Sequence, residues 1–285
     1  MKRILLTGIS GQVGRELQRT LQPLGDVIAC DRSRFDLTQP EALRATLQAL
    51  RPTLIVNPAA YTAVDKAESE PDLAMTINAT APAVLAEFAR EADALLVHFS
   101  TDYVFAGDQP TAYSEDDIPA PLGVYGRSKL AGEQAITASG CRHLIFRTSW
   151  VYGLHGHNFL KTMLRLAQER DELRVVDDQF GAPTWSRMIA ETVAAALARY
   201  QGQHGIYHCS AGGFTTWHGF AEAIIDRAHR QGLLNKTIPV RRITTADFPT
   251  PAKRPANSRL DCDRLQHDFD LAPPDWETQL GLCLG

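Results

Sequence analysis

Short apolar runs and amphipathic stretches alternate through the first half of the chain. Arg3-Ile4-Leu5-Leu6-Thr7 reads as a strand, and Val13, Leu17 and Leu21 then recur at i, i+4 and i+8 as the inner stripe of a helix. Val27-Ile28-Ala29 predicts a second strand ending at Asp31. Pro40 to Leu50 predicts a second helix, with Thr38 as its N-cap and Leu43, Leu47 and Leu50 on one face. Leu54 to Asn57 reads as a third strand, Pro82 to Ala92 as a further helix, and Leu95 to Phe99 as a fourth strand. A helix around Tyr125 and a fifth strand over His143 to Arg147 continue the series. Strands that are apolar along their whole length, separated by helices, predict an α/β fold with a doubly wound parallel sheet covered on both faces.

The regularity fades after about residue 150. Helical patterns near 158–170, 186–200 and 217–230 are separated by loops such as Gln179 to Thr184, and Phe248 through Pro255 is proline-rich and reads as irregular. The expected organisation is a dinucleotide-binding domain over residues 1–150 and a smaller substrate-binding α/β lobe over 151–285. The two interleave, with segments near 171–200 returning to the first.

Bulk properties narrow the classes. The 285 residues suffice for one large domain with a smaller partner, and 44% hydrophobic with 22% charged residues is the balance of an ordinary soluble globular protein. A net charge of −4 with interspersed signs gives no nucleic-acid surface. No apolar run approaches the roughly 18 residues of a membrane span. The start, MKRILLTGISG, reaches glycines too early for a secretion signal and reads as a buried strand. Cys30, Cys141, Cys209, Cys262 and Cys283 are scattered without a Cys-x-x-Cys, which predicts reduced thiols in a cytoplasmic protein. His155 with His157, and His204 with His208 and Cys209, read as loop and core residues rather than metal ligands.

The candidate chemistry begins at Gly8-Ile9-Ser10-Gly11-Gln12-Val13-Gly14, between the first strand and the first helix. Glycines there permit a tight turn and close backbone approach, and a helix N-terminus can face a pyrophosphate. Asp31 stands about 20 residues on, where an acidic residue binds ribose hydroxyls and favours NADH. Arg32 and Arg34 follow it and suit a 2′-phosphate, so NADPH stays open. Asp36 and Leu37 are placed for the adenine, and Asn57 to Thr62 lie at the ligand-binding end of the third strand. Thr101 closes the fourth strand. Tyr125 and Lys129 are four residues apart and share a helix face, so an ammonium near the phenol is expected to lower a pKa otherwise near 10. Such a set can give a sugar ketone its proton while a nicotinamide gives the hydride.

These features resemble the extended short-chain dehydrogenase/reductase family, and within it the dTDP-4-dehydrorhamnose reductases. The glycine loop and the Tyr125/Lys129 pair carry the broad resemblance. Thr62 to Glu68, Ser100 to Phe105, Phe146 to Tyr152, Asp178 to Thr184 and Arg254 to Leu260 carry the narrow one. The resemblance implies a Rossmann sheet, and cofactor contacts from Gly8, Gly11, Gln12, Val13, Gly14, Asp31, Asp36, Leu37, Ala60, Tyr61, Thr62, Phe99, Tyr125 and Lys129. It implies Thr101, Tyr125 and Lys129 as catalytic residues, and Thr101, Asp102 and Trp150 as contacts to a dTDP-sugar. The implied reaction is NADH- or NADPH-dependent reduction of a 4-keto sugar nucleotide, the last step toward a rhamnose donor for surface polysaccharide. Pro58 departs from the family, which usually has a small residue there, and bears on the loop holding Tyr61 and Thr62. Some members bridge subunits through Mg2+ held by glutamates. Glu16 matches one such position and no others are located, so a metal and a homodimer stay open.

Three rivals share the scaffold. A dehydratase needs a further acid/base pair, which relatives supply as Asp-Glu after the threonine, whereas Asp102 here precedes Tyr103. An epimerase can use the same three residues while returning its cofactor unchanged. A non-catalytic partner of methionine adenosyltransferase would have no need of an intact Thr101, Tyr125 and Lys129.

Overall fold

The computed structural model describes residues 2–285. Six parallel strands form the central sheet: β1 (Arg3–Leu6), β2 (Asp26–Ala29), β3 (Leu54–Asn57), β4 (Leu95–Thr101), β5 (Arg142–Thr148) and β6 (Gly205–His208), in the order β6-β5-β4-β3-β1-β2. All five pairings are parallel. β3 and β4 are buried along their whole length, which is why their sequences run apolar without alternation.

Successive side chains point to opposite faces, and the two faces have different helices. On one, Ile4, Leu6, Val56, Val97 and Phe146 pack with Leu17 and Leu21, the latter capping α1 (Gln12–Thr20), and with Ile189, Val193 and Leu197 of α6 (Ser186–Ala198). On the other, Leu5, Ile55, Leu96 and Ile145 meet three helices: α2 (Pro40–Leu50), α3 (Ala81–Glu91) and α4 (Val124–Ser139). A third core joins α5 (Phe159–Glu169), α7 (Trp217–Arg230) and α9 (Trp276–Leu284). Beside it lies the parallel pair Leu173–Val176 and Val240–Ile243.

The chain crosses between these cores more than once. α6 lies against α1, β6 extends the sheet beyond β5, and α8 (Asp263–Phe269) buries Leu265 and Phe269 in the first core. Among the described residues no helix is long and apolar enough to cross a membrane.

Three local expectations are corrected. The second strand stops at Ala29, two residues short of Asp31. Gln39, not Thr38, is the N-cap of α2, and it makes no side-chain cap; Thr38 instead belongs to the turn before the helix, its amide donating to Asp36 Oδ1 at 2.9 Å. The stretch Gln179 to Thr184 is not wholly loop: Phe180–Gly181 pairs antiparallel with Thr215–Thr216, and Thr184–Trp185 pairs parallel with Val151–Tyr152.

Candidate active site

The carboxyl ends of β1, β3, β4 and β5 open into a cleft of about 770 Å³. At its near end Gly8 adopts φ +59°, and the Gly11 amide closes the turn on the Gly8 carbonyl at 2.9 Å. A Cβ on Gly14 would collide with that same carbonyl oxygen. Gly11 caps α1 with no side chain over its amides, and Gly8, Gly11, Gln12, Val13 and Gly14 all line the cleft. An uncovered helix N-terminus behind a glycine turn fits a pyrophosphate. The Gln12 side chain reaches across the cleft, accepting from Asn158 Nδ2 at 2.8 Å.

At the adenosine end, Asp36 and Leu37 line the cleft, and Asp31 does not. Asp31 Oδ1 instead accepts from the Ser33 hydroxyl at 2.6 Å and the Ser33 amide at 3.0 Å. Those bonds, the hydroxyl above all, hold its carboxyl below the usual range. Arg32 takes the place on the wall, 3.4 Å from Asp36.

Ala60, Thr62 and Phe99 line the cleft, as does Pro58. Tyr61 does not. Its hydroxyl donates to Glu70 Oε2 at 2.7 Å, and its backbone is clamped by Asn78, which accepts from Tyr61 N at 2.8 Å and donates to Tyr61 O at 3.0 Å. Asn78 sits in a π-helical turn, Thr76–Thr80, and also donates to Ser128 Oγ of α4, so the loop is tied to the catalytic helix.

Thr101, Asp102, Tyr125, Lys129 and Trp150 all line the cleft. The Thr101 hydroxyl donates to Asp102 Oδ1 at 2.8 Å and accepts from the Tyr103 amide at 3.2 Å. Burial pushes the Asp102 carboxyl up to about 6, against the pull of Ser258 and Thr101, and its Oδ2 has no hydrogen-bond partner among the described residues. Gly126 sets the depth of α4, because a Cβ there would collide with the Tyr103 carbonyl oxygen. Tyr103 in turn meets the Tyr125 ring edge-on, with centroids 5.6 Å apart.

The ionisation expected of Tyr125 is reversed. The residue is partly exposed along the cleft, yet burial of its phenol pushes it up to about 12, and the Thr101 hydroxyl opposes this only in part. Lys129 is 1% exposed, its ammonium is brought down to about 8 by burial, and its Nζ lies 3.1 Å from His98 Nε2. The lysine's nearest polar partner therefore lies on the sheet and not on its own helix.

Trp150 adopts φ +47° and stacks on Trp217 at 3.6 Å between centroids, so one indole face is already covered. Ser100, Tyr103, Thr148 and His157 also line the cleft, unanticipated from the sequence. Thr148 was within reach, since it pairs with Thr101 in register and ends its strand at the same sheet edge. His157 comes from a loop that only the tertiary fold brings over α1. The described residues contain no group of three or more His, Cys, Asp or Glu side chains able to hold a metal.

A family model described as the RmlD substrate binding domain matches residues 1–285. The chain is 49% identical over 281 residues to a dTDP-4-dehydrorhamnose reductase of Shigella flexneri, covering 96% of this chain and 94% of that one. The chain belongs to the dTDP-4-dehydrorhamnose reductase family. A member from Bacillus anthracis, solved in complex with NADP, superposes with a TM-score of 0.93 at 38% identity, covering 99% of this chain and 98% of the other. A UDP-glucose 4-epimerase of Thermus thermophilus, solved with NAD, reaches a TM-score of 0.83 at 21% identity, over 99% of this chain and 97% of its own. That likeness is one of fold: the reductase family and the epimerase share a Rossmann scaffold.

Proposed function

We propose that this chain reduces the C4 ketone of dTDP-4-dehydro-L-rhamnose to dTDP-L-rhamnose, using NADH or NADPH, as the last step of a rhamnose donor pathway for surface polysaccharide. The observation that carries the reading is that Thr101, Tyr125 and Lys129 share one cleft with the glycine turn and the open end of α1. The residues fit a dinucleotide, because Gly8 and Gly14 let the turn pack tightly against backbone while the first amides of α1 stay uncovered by any side chain. When bound, the reduced nicotinamide supplies the hydride.

Each residue then has a task. The amides at Gly11 to Val13 receive the pyrophosphate. Arg32, on the wall where Asp31 is absent, favours a 2′-phosphate and hence NADPH as an accepted cofactor. Tyr125, un-ionised at neutral pH, is a ready proton donor to the oxygen that becomes an alkoxide as the carbonyl takes up hydride. Lys129 offers the cation that stabilises the phenolate left behind. The Thr101 hydroxyl, bonded to Asp102 and beside the Tyr125 phenol, is placed to bond the substrate oxygen and favours the phenolate left behind. We assign residues 1–150 to the cofactor and the lobe built on the third core to the sugar nucleotide, with Trp150 at the junction. The five free cysteines suit a reducing, cytoplasmic setting.

The test is cofactor consumption by the purified chain with the 4-keto sugar nucleotide, run with each nicotinamide in turn. Stoichiometric oxidation is expected. A product formed with cofactor totals unchanged would make the chain an epimerase, and no turnover by the chain alone would favour the regulatory reading.

A further inference from the structure

His98 is fully buried on β4, three residues before Thr101, in a strand that otherwise reads Leu-Leu-Val and Phe around it. Alternation places it on the same face as Leu96, the face covered by α4. Its Nε2 is 3.1 Å from Lys129 Nζ, and its Nδ1 is 3.1 Å from the Asn57 amide nitrogen. Asn57 Oδ1 accepts in turn from the Thr7 hydroxyl at 2.6 Å. Four buried polar side chains, from after β1, from β3, from β4 and from α4, thus make one chain that ends on the lysine of the cleft. An aliphatic residue at position 98 would bury more cheaply, so the polar chain needs a reason.

We propose that His98 is a positioning residue for the reduction: a neutral imidazole whose Nε2 lone pair accepts a hydrogen from Lys129, holding the ammonium against the cleft and keeping it charged. This rests on the reading of Lys129 as the cation of the reduction centre. The argument is one of donors and acceptors. An ammonium has only donors, so an Nε2 that faces it must be bare, and the single ring proton must sit on Nδ1. Nδ1–H then needs the Asn57 carbonyl oxygen opposite it, which turns the amide NH2 toward the Thr7 oxygen. As placed, Asn57 turns its NH2 to Nδ1 and its oxygen to the Thr7 hydroxyl, which leaves Nε2–H pointing at Lys129 and fits only an uncharged amine; a half-turn of the amide, exchanging two atoms of like size, gives the set that fits an ammonium. The tautomer of His98 therefore follows the charge of Lys129. The ring itself stays neutral, because burial first and Lys129 second hold it well below the ordinary histidine range.

Other groups act on Lys129. Glu133, one turn further along α4, favours its charge, but both carboxylate oxygens of Glu133 are bonded to Arg147 on β5. Tyr125 stands on the same helix, and Asp102 and Tyr103 line the cleft from the turn after β4. Glu68 caps the start of α4 at the Val124 amide. The π turn brings no charged side chain, and Glu87 and Glu91 of α3 pair with Arg44 at the surface. Among the described residues His98 is thus the one acceptor at hydrogen-bond distance from Nζ.

Two measurements test this on the full chain. In the first, the pH dependence of kcat is compared for the wild type, H98L and H98Q. Loss of the acceptor in H98L is expected to lower kcat by more than about tenfold and to move the high-pH limb down by about one pH unit. In H98Q, whose amide oxygen reaches the Nε2 position, most of both is restored. A limb unmoved in H98L, or a folded H98Q as impaired as H98L, overturns the proposal. In the second, nitrogen-15 NMR of the wild type without substrate reads the ring directly. The Nδ1–H tautomer is expected at about pH 7, giving way to Nε2–H as Lys129 loses its proton. Nε2–H at neutral pH overturns the proposal even if H98L fails to fold. The NMR experiment needs no turnover, so a failed reductase assay and a failed His98 assignment are told apart.

Discussion

Tyr125 and Lys129 stand one turn apart on α4, yet the Lys129 ammonium is held 3.1 Å from His98 on the sheet while burial keeps the Tyr125 phenol near 12. Their relationship is not an ion pair. It is a neutral proton donor with a buried cation behind it, a better starting state for an acid at neutral pH than a phenolate.

Replacing Tyr125 by Phe is expected to lower kcat by about 10²- to 10⁴-fold while leaving cofactor affinity nearly unchanged, since only the proton is lost. Turnover numbers and a fluorescence titration with NADPH check it. Near-normal turnover would reject the donor assignment.

Arg32 lies on the cleft wall where Asp31 does not. Arg32→Ala is expected to raise KM for NADPH about tenfold and to leave KM for NADH within about twofold, the loss of one exposed charged contact to phosphate. Equal changes for both cofactors would remove Arg32 from the adenosine site.

Asp102 makes stability depend on pH. Its folded carboxyl, near 6, is above the ordinary 3.8, so the folded state binds more protons between those values and stability falls as pH rises through that window. Below it both states are protonated and there is no cost; above it the ionised buried group costs about 3 kcal/mol. Asp102→Asn should therefore gain on the wild type in thermal melts as pH goes from about 4 to 7. A difference that stays constant with pH would place the burden elsewhere.

Gly126 fixes how closely α4 approaches the turn after β4. Gly126→Ala puts a methyl into the Tyr103 carbonyl oxygen and 2.9 Å from Pro121 Cβ. The helix must move, with an expected loss of about 1–3 kcal/mol in denaturant melts and a fall in kcat as Tyr125 shifts. Wild-type stability and turnover together would show that the contact is slack.

Much of this molecule is written locally. Leu54 to Asn57 is wholly buried and reads so, Leu43 and Leu47 mark the inner face of α2, and Gly8 and Gly14 must be glycine because a Cβ at either would strike backbone. Burial of a face and the sterics of a turn act on neighbouring residues, so their trace stays in neighbouring letters. Partnership between distant polar groups leaves no such trace. Only the tertiary structure decided that Phe180–Gly181 finds Thr215–Thr216, and that Gly205–His208 extends the sheet as its sixth strand. It alone set His98 against Lys129 across 31 positions, because whether a buried lysine keeps its charge depends on which acceptor the packing of a strand against a helix leaves within reach.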